Sequence, residues 1–134
     1  MDSVEEWVRR EPAPALRGLI DDYVGYRLLG QPPAVHRGLP SRHMTFIISI
    51  GTPIDVVRQT NAAQPPERYR TVISGLQASS ALIAHSGSQE GVAISLSPLG
   101  SAALLRLPAA ELWDLLCASS ARSACCARPA ADPG

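Results

Sequence analysis

His36-Arg37-Gly38-Leu39-Pro40-Ser41-Arg42-His43 runs directly into Met44-Thr45-Phe46-Ile47-Ile48-Ser49-Ile50, and Gly51-Thr52-Pro53 ends the run. The second stretch decides the fold. Its residues are mostly β-branched or aromatic, and alternation puts Thr45, Ile47 and Ser49 on one face and Phe46, Ile48 and Ile50 on the other. That reads as a strand with one clearly apolar face. The stretch before it gathers four cationic or titratable side chains, His36, Arg37, Arg42 and His43, around a Gly and a Pro that favour a turn. Binding residues collect on loops carried by a rigid scaffold. These four are therefore candidate binding residues, to be weighed against a plain charged surface turn.

The flanking segments extend the β pattern. Ile54 to Arg58 repeats the strand signal after Gly51-Thr52-Pro53, a connector that suits a hairpin provided its Pro stays off the ladder. Tyr69 to Ile73 reads as the next strand, and Leu76 to Ala84 as another. His85 to Gly91 has the composition of a polar hairpin turn, and Val92, Ile94 and Leu96 alternate after it. On the N-terminal side, Leu16, Leu19, Ile20, Tyr23 and Val24 keep helical spacing, but Tyr23 to Leu29 is rich in aromatic and branched residues. Leu16 to Asp22 is accordingly expected as a short helix or turn and Tyr23 to Leu29 as a strand. After Leu96 the period changes. Ser97-Pro98-Leu99-Gly100 breaks the pattern, and two short helices are expected over 101–107 and 108–116, the second with Pro in its first turn.

Three regions follow. Residues 1–15, ended by Pro12 and Pro14, form a flexible lead-in. Residues 16–116 form one mainly β (α+β) domain, a barrel or sandwich with two short C-terminal helices. Residues 117–134, which hold all three cysteines and continue no apolar period, read as a disordered tail.

Composition excludes several functions. The chain has 134 residues, the size of one ordinary domain, with 12 basic and 12 acidic residues, so it carries no net positive field for a phosphate backbone. All 12 basic residues are Arg. No apolar run approaches the roughly 20 residues that span a bilayer, and the acidic N-terminus does not resemble a secretory leader, so the expected location is the cytoplasm, with no membrane partner.

Catalytic constellations are weak. His36, His43, His85 and Glu90 could be assembled into a metal site, but His36 and His43 lie seven apart across a Gly and a Pro. Ser41, Ser49 or Ser86 with a His and Asp55 lacks any Gly-x-Ser-x-Gly elbow. No metal, cofactor or catalytic residue is expected. Arg37 and Arg42 suit an anionic ligand better, because guanidinium forks grip carboxylates bidentately. Leu104, Leu105, Leu112, Trp113 and Leu116 offer more apolar surface than two short helices need, and are expected to form a dimer seam or a domain-docking face.

Several motifs together resemble the N-terminal sensing domain of AraC-like (AraC/XylS family) transcriptional regulators from actinobacteria. They are Tyr23-Val24-Gly25-Tyr26-Arg27, the His36 to Thr45 stretch, Ser74-Gly75-Leu76, Gly87-Ser88-Gln89-Glu90-Gly91-Val92 and Ser97-Pro98-Leu99-Gly100. The resemblance covers roughly residues 13–116. It implies a cupin-like β-barrel or double-stranded β-helix that binds a small-molecule effector at His36, Arg37, Arg42, His43 and Tyr26, or that dimerises, without being an enzyme. In that family a helix-turn-helix domain follows and reads DNA, whereas residues 117–134 resemble no such domain. The expectation is thus a regulatory domain lacking its own DNA-binding half, with the tail read out of frame. A stand-alone small-molecule-binding cupin-like protein and a small metal-dependent cupin-type enzyme remain the alternatives.

Overall fold

The computed structural model describes residues 2–38, 43–76, 80–106, 108–112 and 116–118. Among the described residues ten strands dominate: β1 Val4–Arg10, β2 Ile20–Leu29, β3 Ala34–Gly38, β4 Met44–Ser49, β5 Ile54–Arg58, β6 Glu67–Tyr69, β7 Thr71–Ser74, β8 Ala81–His85, β9 Gln89–Leu96 and β10 Leu116–Ala118. They form two antiparallel sheets, one of six strands in the order β1-β2-β9-β4-β7-β10 and one of four in the order β3-β8-β5-β6. The molecule is mainly β, as expected, and the sheets do not close into a barrel.

The connectors are read differently by the structure. Gly51-Thr52-Pro53 joins β4 to β5 and the Ser86 to Ser88 turn joins β8 to β9, and in each case the two strands belong to different sheets. Neither is a hairpin. Turn-forming residues reverse the chain but do not say which sheet receives it, and a proline that cannot donate to a ladder suits a crossing as well as a hairpin. The expected strand Tyr69 to Ile73 is also two: β6 ends at Tyr69 in the smaller sheet, and β7 begins at Thr71 in the larger.

Both faces of the larger sheet are covered. Its outer face packs Ile20, Met44, Ile73 and Leu96 under Leu105 and Leu112 of the C-terminal segment. Its inner face brings Val72, Leu116 and Ile47 against Val56, Tyr69, Ala81, Ile54 and Ile83, all from the smaller sheet. The faces of β4 divide as the alternation predicts, but both are put to use. Phe46 packs outward beneath the C-terminal segment, Ile48 is exposed, and the Ile47 face with Ser49 turns toward the space between the sheets.

The C-terminal segment is held by short turns. Ser97 caps the helical turn α1 (Pro98–Gly100), its Oγ accepting from the Gly100 amide at 3.0 Å and donating to the Gly18 carbonyl at 2.6 Å. A π-helical turn over Ser101–Leu105 continues it, until Arg106 at φ 56° ends the helix. Of the second helix expected over 108–116, Ala109–Leu112 is a 3-10 turn and Leu116 belongs to β10, while residues 113–115 lie outside the described residues.

Three expectations change here. The lead-in is not loose: Val4–Arg10 pairs with β2 through all seven residues, because an edge strand tolerates exposed charge on both faces. The domain runs on to Ala118, since Leu116–Ala118 pairs with Ser74, Ile73 and Val72. The apolar docking face is largely consumed by the core: Leu112 and Leu116 are buried and Leu105 packs against the outer core, while Leu104 stays 43% exposed. Trp113 and the tail from residue 119 lie outside the described residues.

Candidate functional site

A cleft opens between the sheets at the end where β2 leaves the larger sheet for β3. It has two lobes that meet at Tyr26, Ile54 and Gln89. The inner lobe, so named for its place between the facing sheets, is the more open of the two at 220 Å³ and is walled by Val24, Ile47, Ile83 and Ala93 with Trp7 and His36 at its side. The outer lobe, 320 Å³, mixes polar and apolar surface, its polar groups coming from Ser49, Asp55, Arg68, His85, Ser86 and Ser88 among others. A roomier depression of 440 Å³ beside Glu11, Arg17 and Asp21 is an open surface feature with no such apolar lining.

Tyr26 stands at the junction because its register partner is Gly91. A Cβ at Gly91 would lie 2.7 Å from the Tyr26 hydroxyl, so the missing side chain is what lets the phenol lie across β9. Burial pushes the Tyr26 phenol above its ordinary pKa, and it stays a neutral donor at physiological pH. Its ring lies 6.0 Å from Trp7, whose indole N–H donates to Glu5 Oε1 at 3.0 Å.

His36 sits within β3, not in a loop, opposite Ile83 of β8. It remains solvent-reachable on this edge strand, yet its cleft-facing surroundings lower the imidazole pKa by desolvation, with the neighbouring His85 adding to the effect. The two rings are 5.9 Å apart. The Gly87 amide can only donate, so its 3.2 Å bond makes His85 Nδ1 an acceptor and leaves the proton of the neutral ring on Nε2. Asp55 Oδ1 and Arg68 Nε, 3.8 Å apart, add one charge of each sign to the outer lobe.

The structure thus divides the expected binding cluster. His36 and Tyr26 come together in the cleft. Arg37 follows His36 in β3 and so projects from the opposite face of the smaller sheet. His43 lies at the far end of β4, where its Nδ1 is 2.8 Å from Asp21 Oδ2. Arg42 lies outside the described residues. The metal constellation of His36, His43, His85 and Glu90 does not assemble, and among the described residues no three metal-ligating side chains converge. The triad reading finds no support at Ser49, whose hydroxyl donates to the Thr52 carbonyl at 2.6 Å.

Gln89, Ser88 and Arg68 carry no signal at their own positions, and Asp55 enters the sequence reading only as a triad partner, since these residues come from strands and turns that meet only in the fold. The Gly87 to Val92 motif was the available signal: it holds Ser88 and Gln89 and the glycine that seats Tyr26.

A family model described as "Domain of unknown function (DUF6597)" matches residues 8–118. No curated protein and no solved structure matches the chain.

Proposed function

The chain belongs to the DUF6597 family, and from its sequence motifs and its cleft we propose that it is a small-molecule-binding, effector-sensing domain of the kind that AraC-like transcriptional regulators carry. The observation that carries the reading is the two-lobed cleft, an apolar pocket with a few convergent polar groups, Tyr26, His36, His85 and Gln89. The fold in this reading is a cupin-like double-stranded β-helix. Its support is the strand order: without β1 and β10 the sheets read β2-β9-β4-β7 and β3-β8-β5-β6, two four-stranded layers that exchange the chain repeatedly. The activity is recognition without catalysis. DNA would be read by a helix-turn-helix domain working with this one, consistent with 12 basic and 12 acidic residues in this chain.

Trp7 borders the inner lobe and serves as a reporter. Titration of the chain with a panel of small molecules that join an aromatic or branched apolar body to a neutral polar head should quench or shift its tryptophan fluorescence and raise the melting temperature. Ala93→Leu, which adds bulk inside the inner lobe, should abolish both effects while the protein remains folded. Ligands that bind this variant as well as the wild type would place binding elsewhere and overturn the reading.

A further inference from the structure

The outer edge of the larger sheet is a surface that the cleft touches only through Trp7. β1 pairs with β2 along one side without a bulge, and no described strand lies on its other side. Open edges recruit further strands unless charge, proline or a bulge blunts them. Here Glu5 and Glu6 stand at one end and Arg9 and Arg10 at the other, with Trp7 and Val8 between them, 57% and 47% exposed. The order is antisymmetric in charge. A parallel copy of the same strand would set like charges side by side, whereas an antiparallel copy meets opposite charge along its length.

We propose that β1 is a dimerisation edge, pairing antiparallel with β1 of a second copy about a two-fold axis at Trp7. Side chains on facing residues of an antiparallel ladder must share a face, so such an axis has to pass beside a residue that faces its own copy. Centred on Trp7, the pairing sets Glu5 opposite the partner's Arg9, and Arg9 opposite the partner's Glu5. On the other face Glu6 faces the partner's Val8 and lies diagonal to the partner's Arg10 on one side and the partner's Glu6 on the other, within reach of long side chains. Centred on Val8, it would set Glu6 opposite the partner's Arg10 but also Glu5 opposite the partner's Glu11, just past the end of β1. Of the two registers, the one centred on Trp7 opposes no like charges.

The intramolecular contacts of β1 leave this edge usable. Arg9 gives Nε to Asp22 Oδ2 at 2.8 Å while its side chain stays 69% exposed, and a guanidinium has further N–H donors for a second carboxylate. A seven-residue edge buries less than the ~1,200 Å² of a stable interface, so the dimer is weak and reversible, with a dissociation constant on the order of 10–100 µM.

Sedimentation velocity over a concentration series tests the proposal, with far-UV circular dichroism to verify folding of each variant. The wild type should dimerise with rising concentration. Glu5→Arg/Glu6→Arg should weaken association at least about tenfold, and so should Arg9→Gln/Arg10→Glu, which keeps a hydrogen-bonding group beside Asp22. An equimolar mixture of the two variants should restore dimers, since each then presents the charge that the other lacks. A wild type that stays monomeric through the series would overturn the proposal. So would a folded Glu5→Arg/Glu6→Arg variant that associates as the wild type does, because the dimer would then use another surface.

Discussion

Tyr69 ends β6 just before the chain crosses to the other sheet, and it shows what burial does to a titratable group. It is 2% exposed, and Gln59 Nε2 donates to its hydroxyl at 3.0 Å. Burial dominates, and the phenol pKa is pushed up to about 12 against an ordinary value of 10.0. The folded state therefore holds this proton more tightly than the unfolded chain does. Its contribution to stability is complete below pH 10, declines as pH rises toward 12, and is of order 2–3 kcal/mol. Denaturant midpoints measured from neutral pH upward should fall along this alkaline limb. Tyr69→Phe should flatten much of the fall, the remainder coming from Tyr26, whose pKa is raised in the same direction. His36 works with the opposite sign. Its folded pKa lies below 6.5, so its contribution is present above that pH and is lost as pH falls. His36→Gln should flatten the loss of stability between neutral and mildly acidic pH.

At the scale of elements, the 3-10 turn Ala109–Leu112 closes the outer face of the larger sheet by one side chain. Leu112 is fully buried in a cluster with Ile20, Met44, Ile73 and Leu96. Leu112→Ala should cost about 2–5 kcal/mol by chemical denaturation, since the rigid sheet beneath cannot collapse into the cavity. The turn sits so close to the end of β7 that a Cβ on Gly75 would fall on the Leu112 carbonyl oxygen. Gly75→Ala should thus displace the whole turn and lower the melting temperature, although it adds only a methyl group. Strands β2, β4, β5, β8 and β9 were legible in the sequence because alternation and flanking Gly and Pro mark a strand wherever it goes. Sheet membership was not, because Gly51-Thr52-Pro53 and the Ser86 to Ser88 turn carry the same local chemistry as hairpins. The same limit governs the site. Tyr26 and His36 could be singled out from their types and neighbours, while Gln89, Asp55 and Arg68 join them only through the crossing of sheets. β1 was missed for a further reason: four charges in seven residues hide a strand whose ladder needs only one partner.

For the molecule as a whole, the crossing pattern decides how it must fold. Only β1–β2 and β5–β6 pair strands adjacent in the chain; β9, at the centre of the larger sheet, pairs with β2 and β4 and so ties residue 20 to residue 96. Neither sheet can bury its inner face alone, because Val72 and Leu116 from one pack on Val56, Tyr69 and Ala81 from the other. Equilibrium unfolding in urea should accordingly be one transition, coincident by circular dichroism and tryptophan fluorescence. Loop closure over such separations has to precede the contacts that offset it, which slows folding relative to helical proteins of the same stability. Stopped-flow refolding should therefore fall in the millisecond-to-second range typical of sandwich topologies. Val56→Ala, in the inter-sheet core, should lower stability measured by both probes equally. Refolding in microseconds, or a variant that unfolds one sheet while the other persists, would contradict a core shared between the two layers.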